Sequence, residues 1–554
     1  MPTTKLNYMK YSIAFLFVLI SITTNAQTTL VRGPYLQSLT DKSIKIMWRT
    51  SDSTQAVVKI GYAPNALNRT IIDTHNIKDH IVLVDGLSAR EKYYYSVGTD
   101  DVNVLAGGDE QHHFFAAPSV GDTTGFRFWV IGDFGKANSR QVRVRNWFQT
   151  YVKDNKVDAW LWLGDNAYQD GKDVEYQEKV FGRTYGYDSI LRFLPSYPIP
   201  GNHDYNSVNQ SKPAEKHTGP YYNNVEVFRN AEMGGIPSKT EAYYSYDFGN
   251  VHFMALNSEL YTYSIFWDLG SPYKTWIEND IKSTDKKFIV AYIHQPPYSK
   301  GSHDTDDFYQ IFMQNTREKI VPILEKYGVD VILSGHSHVY ERSYLINGHY
   351  ARSSYFNKEK VVVDSTDGNP DNGNVYTKYT YGPLKGKGTV YSVIGNSGNY
   401  EEHNGKMHPV FTTKYDDTGD NGAGSMILEV KGNELTGTYY TLDGVLFDKF
   451  RIVKQDSSTI SGIKQNKNIK SLKVYPNPFS EQVTLEVSLD KAAVLDVYIQ
   501  NLGGELVVDK IAFGKANKGV NHIEINNIGD LPAGNYIITI AQDGIFTSQQ
   551  VVKL

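Results

Sequence analysis

The chain is predicted to be multidomain, with an N-terminal β-sandwich, a central α/β unit and a small C-terminal β-sandwich. Three observations predict this. Residues 27–118 carry short period-2 runs separated by turn residues. Residues 124–455 carry continuous apolar runs separated by helical stretches, and the runs end in short polar motifs. Residues 472–554 return to period-2 runs after a polar, Lys/Ser/Asn-rich linker at 456–471. The 554 residues are enough for several domains and a large core.

The first 26 residues read as a signal peptide. Lys5 and Lys10 form a basic head, Tyr11 to Ile22 is an apolar run too short to span a bilayer comfortably, and Thr24-Asn25-Ala26 places cleavage before Gln27. The alternative is an uncleaved anchor. No later apolar run has the length of a membrane span, so no transmembrane segment is expected after cleavage. In the first sandwich, KSIKIMWRT (42–50) alternates Ile44, Ile46 and Trp48, followed by AVVKIGYA (56–63), HIVLVDGL (80–87) and KYYYSVG (92–98). The central unit is carried by FRFWVIGD (126–133), AWLWLGD (159–165), FIVAYIH (288–294) and VDVILSGH (329–336), runs of the kind buried on both faces. Gln314 to Tyr327 has helical spacing, with Gly328 as its stop. The stretch 364–388 is rich in Gly, Asp, Asn and Tyr and reads as a long surface insertion, before GTVYSVIGNSGN (388–399) returns to a strand. In the last sandwich, VTLEVSL (483–489), VLDVYIQ (494–500) and LPAGNYIITI (531–540) are the strands.

Charge and cysteine content narrow the function classes. Lys and Arg number 56 against 61 Asp and Glu, a net charge of −5, which argues against nucleic acid or an anionic membrane as the main partner. With no cysteine there is no disulfide, no lipoprotein anchor, no thiol nucleophile and no thiolate metal site.

The motifs are GDFG (132–135), GDNAY (164–168), GNHD (201–204), His294 and GHSH (335–338). They offer Asp133, Asp165, Tyr168, Asn202, His294, His336 and His338, all oxygen or nitrogen donors, which suit two hard or borderline cations side by side. Such a pair hydrolyses phosphate esters. Asp133 at a strand end is either a metal carboxylate or a turn aspartate ahead of Gly135. Asp165 could bridge two cations through its two oxygens. Tyr168, three residues on, is either a structural tyrosine or a phenolate ligand suited to ferric iron. Asn202 would be a neutral ligand. His203 is either a solvated turn histidine or a donor to phosphate or leaving group, with Asp204 orienting it. His294 is either structural or a ligand. His303 could reach back over the site. His336 and His338 would face opposite sides of a regular strand but could straddle two metals in a turn.

Together these motifs make the chain resemble the purple acid phosphatases of the metallophosphoesterase superfamily. Asp133-Phe134-Gly135 lacks the histidine of the general superfamily, and GDNAY supplies a tyrosine instead; GHSHVYER (335–342) and YYSYDFGNVHF (243–253) are also similar to larger members. The resemblance implies a fibronectin type III-like domain at 27–118 and a calcineurin-like catalytic domain at 124–455, a β-sandwich flanked by helices. It implies a ferric (Fe3+) site of Asp133, Asp165, Tyr168 and His338. The second site would take Fe2+, Zn2+ or Mn2+ on Asp165, Asn202, His294 and His336. His203 and His303 would line the substrate position, and Asp204 stands where larger members often have Glu. The implied activity is hydrolysis of small phosphoric monoesters by metal-activated hydroxide; the alternatives are a phosphodiesterase or nucleotidase on the same pair, or a non-catalytic surface binding protein. Residues 472–554, with Tyr475-Pro476-Asn477-Pro478, Gly534-Asn535-Tyr536 and a final strand to Leu554, resemble a type IX secretion C-terminal sorting domain. That resemblance implies the type IX machinery as partner and a secreted or outer-surface location. A carbohydrate-binding or adhesion sandwich is the other reading of this segment.

Overall fold

The computed structural model describes residues 27–211, 213–261, 271–380, 384–401, 407–412, 422–456, 468–502, 506–542 and 545–554. The expected signal peptide and residues 457–467 of the expected linker lie outside them.

The N-terminal module is organised by one long strand. Its strands are β1 (Leu30–Gln37), β2 (Ile44–Gly61), β3 (Arg69–Val84), β4 (Lys92–Gly98), β5 (Val104–Gly107) and β6 (His113–Phe115). The first half of β2 pairs with β1 and its second half with β4, while β3 flanks both halves. Ile44, Ile46 and Trp48 are buried, as their alternation predicts, and Tyr93, Tyr95 and Val97 pack with them in one core.

The central unit uses β7 (Phe126–Ile131), β8 (Ala159–Leu163), β9 (Ser196–Ile199), β10 (Tyr244–Phe248), β11 (Val251–Leu256), β12 (Phe288–Ile293), β13 (Val331–Ser334), β14 (Tyr340–Arg342), β15 (Leu345–Ile346), β16 (Val362–Asp364), β17 (Tyr376–Tyr379), β18 (Val390–Ile394), β19 (Gly424–Lys431), β20 (Glu434–Thr441) and β21 (Leu446–Gln455). Among the described residues these form two main sheets. One is 13-stranded, in the order β17-β21-β20-β19-β7-β8-β9-β1-β2-β4-β5, with β3 on β2 and β6 on β4. The other is six-stranded, β10-β11-β12-β13-β18-β14. The sheets face each other across aromatic rings: Phe128 stacks on Phe253 at 5.0 Å and Tyr197 on Tyr246 at 4.3 Å. Each buried ring contributes roughly 2–3 kcal/mol by area. Helices cover the outer faces. The helix Ser139–Asp154, capped by Asn138, lays Phe148 on Trp129 at 4.0 Å. The helix Pro272–Ser283 and the helical run from Ile311 to Lys326 bury Ile277, Ile281, Val321 and Leu324 against Ala291, Ile293 and Ile332. The central fold is a β-sandwich flanked by helices.

The N-terminal strands share the larger sheet, through the parallel contact of Gln37 with Ser196. The buried Arg32 deepens that junction. It donates to Gln177 Oε1 at 2.8 Å, to Asp173 Oδ1 at 3.1 Å and to Asn224, and it lies 4.2 Å over the Phe181 ring.

Two expectations change. The stretch 364–388 is not wholly a surface insertion, because β17 pairs in parallel with β21 and buries Tyr376 and Lys378. Polar composition hid this strand: Lys378 runs inward to Asp330 at 2.8 Å and also donates to the carbonyls of Gly328 and Val329. The linker expected at 456–471 overlaps β22 (Ile469–Tyr475), so the C-terminal strands begin before 472. Those strands form a three-stranded and a four-stranded sheet among the described residues, around a core including Leu485, Val497, Ile523, Ile538 and Ile540. Among the described residues no helix is long and apolar enough to cross a membrane.

Candidate metal centre

The motif residues meet at the C-terminal edge of both sheets. Asp133 follows β7, Asp165 follows β8, Asn202 follows β9, His294 follows β12 and His336 follows β13. Ligands of open α/β sheets collect at this edge. Three of these residues are bent sharply off their strands in the left-handed region: Asp133 at φ 54°, Asp165 at φ 50° and His336 at φ 67°. Such backbone costs about 1–3 kcal/mol per residue and persists where surroundings over-determine it. Glycines permit the convergence. A Cβ on Gly201 would lie 2.2 Å from Asp165 Oδ1, and one on Gly164 would lie 2.5 Å from His294 Nδ1.

Two donor clusters result. In the first, the Tyr168 hydroxyl lies 2.9 Å from Asp133 Oδ1 and 3.3 Å from His338 Nε2. In the second, Asn202 Oδ1 lies 3.1 Å from His294 Nε2 and 3.0 Å from His336 Nδ1. His294 Nε2 is also 3.4 Å from Asp165 Oδ1, and the ligand atoms of Asp165, His294 and His336 all lie within 4.8 Å of one another. Asp133, Asp165, Tyr168 and His294 are almost wholly buried. All seven expected donors are therefore brought together.

The hydrogen bonds around the clusters fix which atoms face inward. His294 gives its Nδ1 proton to the Leu163 carbonyl at 2.8 Å, so the neutral ring presents an Nε2 lone pair to two oxygens. His338 gives its Nδ1 proton to Glu401 Oε1 at 2.6 Å, so its Nε2 lone pair faces Tyr168 and Asp133, with the Asn399 amide nitrogen beside it at 3.0 Å. Where the His294 Nε2 lone pair meets Asn202 Oδ1 and Asp165 Oδ1, a cation is required between them, either a proton or a metal. The electrostatics of the buried groups describe the proton version. Burial opposes charge on His294, but Asp165 overrides it and raises the imidazole to about 10. Burial likewise opposes charge on Asp165, yet the His294 cation holds that carboxyl below its ordinary range. Burial pushes the Asp133 carboxyl up to about 6 against the pull of His294, and it drives the Tyr168 phenol far up, with Asp133 adding to it. The buried His336 Nε2 has no protein partner. The residues fit two metal ions: all donors are oxygen or nitrogen, and a strong cation is what would ionise Tyr168 in this burial.

Two histidines flank the clusters. The His203 ring packs 4.4 Å from Tyr168, its Nδ1–H is held by the Gln169 carbonyl at 2.6 Å, and Nε2 is 3.8 Å from Asp165 Oδ2. The His303 ring stacks on His336 at 4.1 Å, with Gln310 Nε2 donating to its Nδ1 at 3.0 Å. Burial pushes His303 down to about 4.

Asp204 does not orient His203. It is fully buried and accepts from Tyr176 Oη at 2.6 Å, Gly201 N at 2.8 Å and Asn166 Nδ2 at 2.9 Å. Its place in the short turn Asn202–Tyr205 points it back at the start of that turn, away from the imidazole. It ties the Asp165–Tyr168 loop to the Asn202 turn. Sequence reasoning missed Glu401, the Leu163 and Gln169 carbonyls, Gln310, and Lys136, whose ammonium sits 3.6 Å above the Tyr168 ring. None lies in a recognisable motif; Glu401 is 63 residues from the histidine it holds.

Comparison with known proteins shows what the chain is similar to. Residues 126–340 match the calcineurin-like phosphoesterase family, and residues 473–554 match the secretion system C-terminal sorting domain. The chain is 25% identical over 347 residues to purple acid phosphatase 23 of Arabidopsis thaliana, covering 58% of this chain and 63% of that one. It is 22% identical over 374 residues to phosphoenolpyruvate phosphatase of Allium cepa, covering 65% and 68%. It thus spans less than two thirds of the length of the Arabidopsis relative. In fold it is similar to the purple acid phosphatase PPD1 of yellow lupin (Lupinus luteus), with a TM-score of 0.57 at 18% identity over 78% of this chain and 76% of that one. The chain thus carries a segment similar to the calcineurin-like phosphoesterases and a C-terminal segment similar to secretion sorting domains, and the curated proteins it resembles include purple acid phosphatases.

Proposed function

We propose that the protein is a secreted acid phosphatase that hydrolyses small phosphoric monoesters at a pair of metal ions. Asp133, Asp165, Tyr168 and His338 would hold ferric iron, and Asp165, Asn202, His294 and His336 a divalent ion (Fe2+, Zn2+ or Mn2+). The observation that carries this reading is the convergence of Asp165 with His294 and His336, their ligand atoms within 4.8 Å of one another, beside the Tyr168, Asp133 and His338 cluster. Bound there, the two ions would neutralise phosphate charge and acidify a water to a nucleophile at acidic to neutral pH.

The chain's own groups supply the remainder. His303 accepts from Gln310 through Nδ1, so the neutral ring carries its proton on Nε2 and can donate it to a phosphate oxygen. His203 spends its Nδ1 proton on the Gln169 carbonyl, so it can give a second proton to a leaving alkoxide only when cationic. Asp204 positions Asn202 and Asp165 from behind. The sorting domain at 473–554, together with the expected signal peptide, supports export through the type IX machinery to the outer surface.

The test is phosphate release by metal-loaded protein on matched monoesters and diesters from pH 4 to 9. Faster monoester cleavage with an acidic to neutral optimum, abolished in Asp165→Asn, is the expected result. Diester preference would move the function to a phosphodiesterase on the same residues. No release from either class would favour a non-catalytic surface protein.

A further inference from the structure

The two outer ligands of the Tyr168 cluster each carry a charged neighbour, and the two charges are opposite. Lys136 follows Asp133 by three residues. Its backbone N–H and that of Ala137 donate to Gln141 Oε1 at 3.0 and 2.8 Å, and the Tyr168 N–H donates to the Gly135 carbonyl at 3.0 Å. This fixes the loop against Tyr168 and seats the Lys136 ammonium 3.6 Å above the ring centroid. Lys136 is half-buried, and among the described residues it forms no ion pair with a carboxylate. On the other ligand, Glu401 Oε1 accepts the Nδ1 proton of His338 at 2.6 Å while Nε2 faces Asp133 and Tyr168, with the neutral Asn399 amide nitrogen 2.9 and 3.0 Å from the two ring nitrogens.

These neighbours have opposite chemical effects. A cation over an aromatic face draws electron density toward itself, and more strongly if the ring is a phenolate. A carboxylate on the far nitrogen of a histidine raises the basicity of its near nitrogen. Lys136 touches the Tyr168 ring and Glu401 the His338 imidazole, so each acts through a ligand.

We propose that Lys136 and Glu401 are opposed positioning residues that set the electron richness of the metal held by Tyr168 and His338. Lys136 withdraws charge through the tyrosine, and Glu401 supplies it through the histidine. The inference rests on the reading that this cluster holds ferric iron. Lys136 then favours the ferrous state and moves the tyrosinate-to-iron absorption to shorter wavelength. Glu401 favours the ferric state.

The experiment uses the full chain loaded with iron, as wild type, Lys136→Met, Lys136→Arg and Glu401→Gln. The visible spectrum and the midpoint potential of the one-electron iron couple are read, the latter by titration with dithionite. Lys136→Met is expected to move the band to longer wavelength and lower the potential, and Lys136→Arg to keep both near wild type. Glu401→Gln is expected to raise the potential. A wild-type band that neither variant moves would overturn the inference and leave the ferric assignment standing. The inference also fails if Lys136→Met raises KM for phosphate ester with band and potential unmoved, since Lys136 would then be a substrate contact. If iron-loaded wild type shows no such band, the ferric reading itself is wrong, and this inference falls with it.

Discussion

Replacing His252 with glutamine tests how a buried charge holds the second sheet together. His252 is fully buried on β11. Its Nδ1 lies 2.7 Å from Asp247 Oδ1 and its Nε2 lies 3.0 Å from Asp280 Oδ2. Asp280 also accepts from Ser245 Oγ at 2.7 Å and from Ile236 N at 2.8 Å, so one carboxylate links the helix Pro272–Ser283 to β10 and β11. Burial alone would strip the proton from His252, but the two carboxylates outweigh it and raise the imidazole to about 9. The gap between about 9 and the ordinary 6.5, at roughly 1.36 kcal/mol per pH unit, is about 3 kcal/mol. The sign follows from the direction. A group whose folded pKa is raised stabilises fully below its unfolded pKa, so this contribution is complete below pH 6.5 and lost as pH rises through about 9. The assay is urea unfolding at pH 6, 7.5 and 9.5, followed by tryptophan fluorescence; all tryptophans precede residue 472, so the signal ignores the C-terminal sandwich. The stability gap between wild type and His252→Gln should shrink by about 3 kcal/mol from pH 6 to 9.5. A gap that stays constant, or widens with pH, would refute the charged sandwich.

Other predictions follow from the supports of the site. Asp204→Asn replaces an acceptor of several protons with a group that must also donate; it should cost about 1–3 kcal/mol in unfolding and weaken metal retention roughly 10–100-fold, read by competition with a chelator. Arg32→Met removes one of the two arginines on Asp173, Arg49 keeping the other, and leaves Asn224 Oδ1 without its donor beside the helix Asp173–Lys179, whose Lys179 donates to the Tyr168 carbonyl; a loss of about 1–2 kcal/mol is expected in urea unfolding, together with faster amide exchange across 168–175. Tyr168→Phe should remove the visible iron band while near-ultraviolet circular dichroism stays that of a folded protein. A band that survives would show that Tyr168 is not the coloured ligand.

The sandwich core was legible because its strands are unmixed apolar runs: FRFWVI, AWLWL, FIVAYI and VILS are each buried almost throughout. Glycine before Asp133, Asp165, Asn202 and His336 was legible for the same reason, since close approach at strand ends demands it. The missing pieces lacked any such local signature. Lys378 makes β17 look like loop, because its buried charge is paired with Asp330 from a distant strand. Asp204 adjoins His203 in sequence, yet the turn Asn202–Tyr205 sends the two side chains apart. Glu401 and Lys136 touch the site through contacts made by loops, and a loop contact leaves no periodicity to read. The sharing of one sheet by the N-terminal strands and the catalytic strands rests on the single pair Gln37 and Ser196, which composition does not announce.

The central claim is that Asp165 joins two metal sites that act together on phosphate. Its most direct test is a metal titration of the metal-free protein, with phosphate release from a monoester as the readout at each step. One equivalent of ferric iron should give little or no turnover, and a second equivalent of a divalent ion should switch it on. Full turnover with a single equivalent, or none with both, would contradict the account.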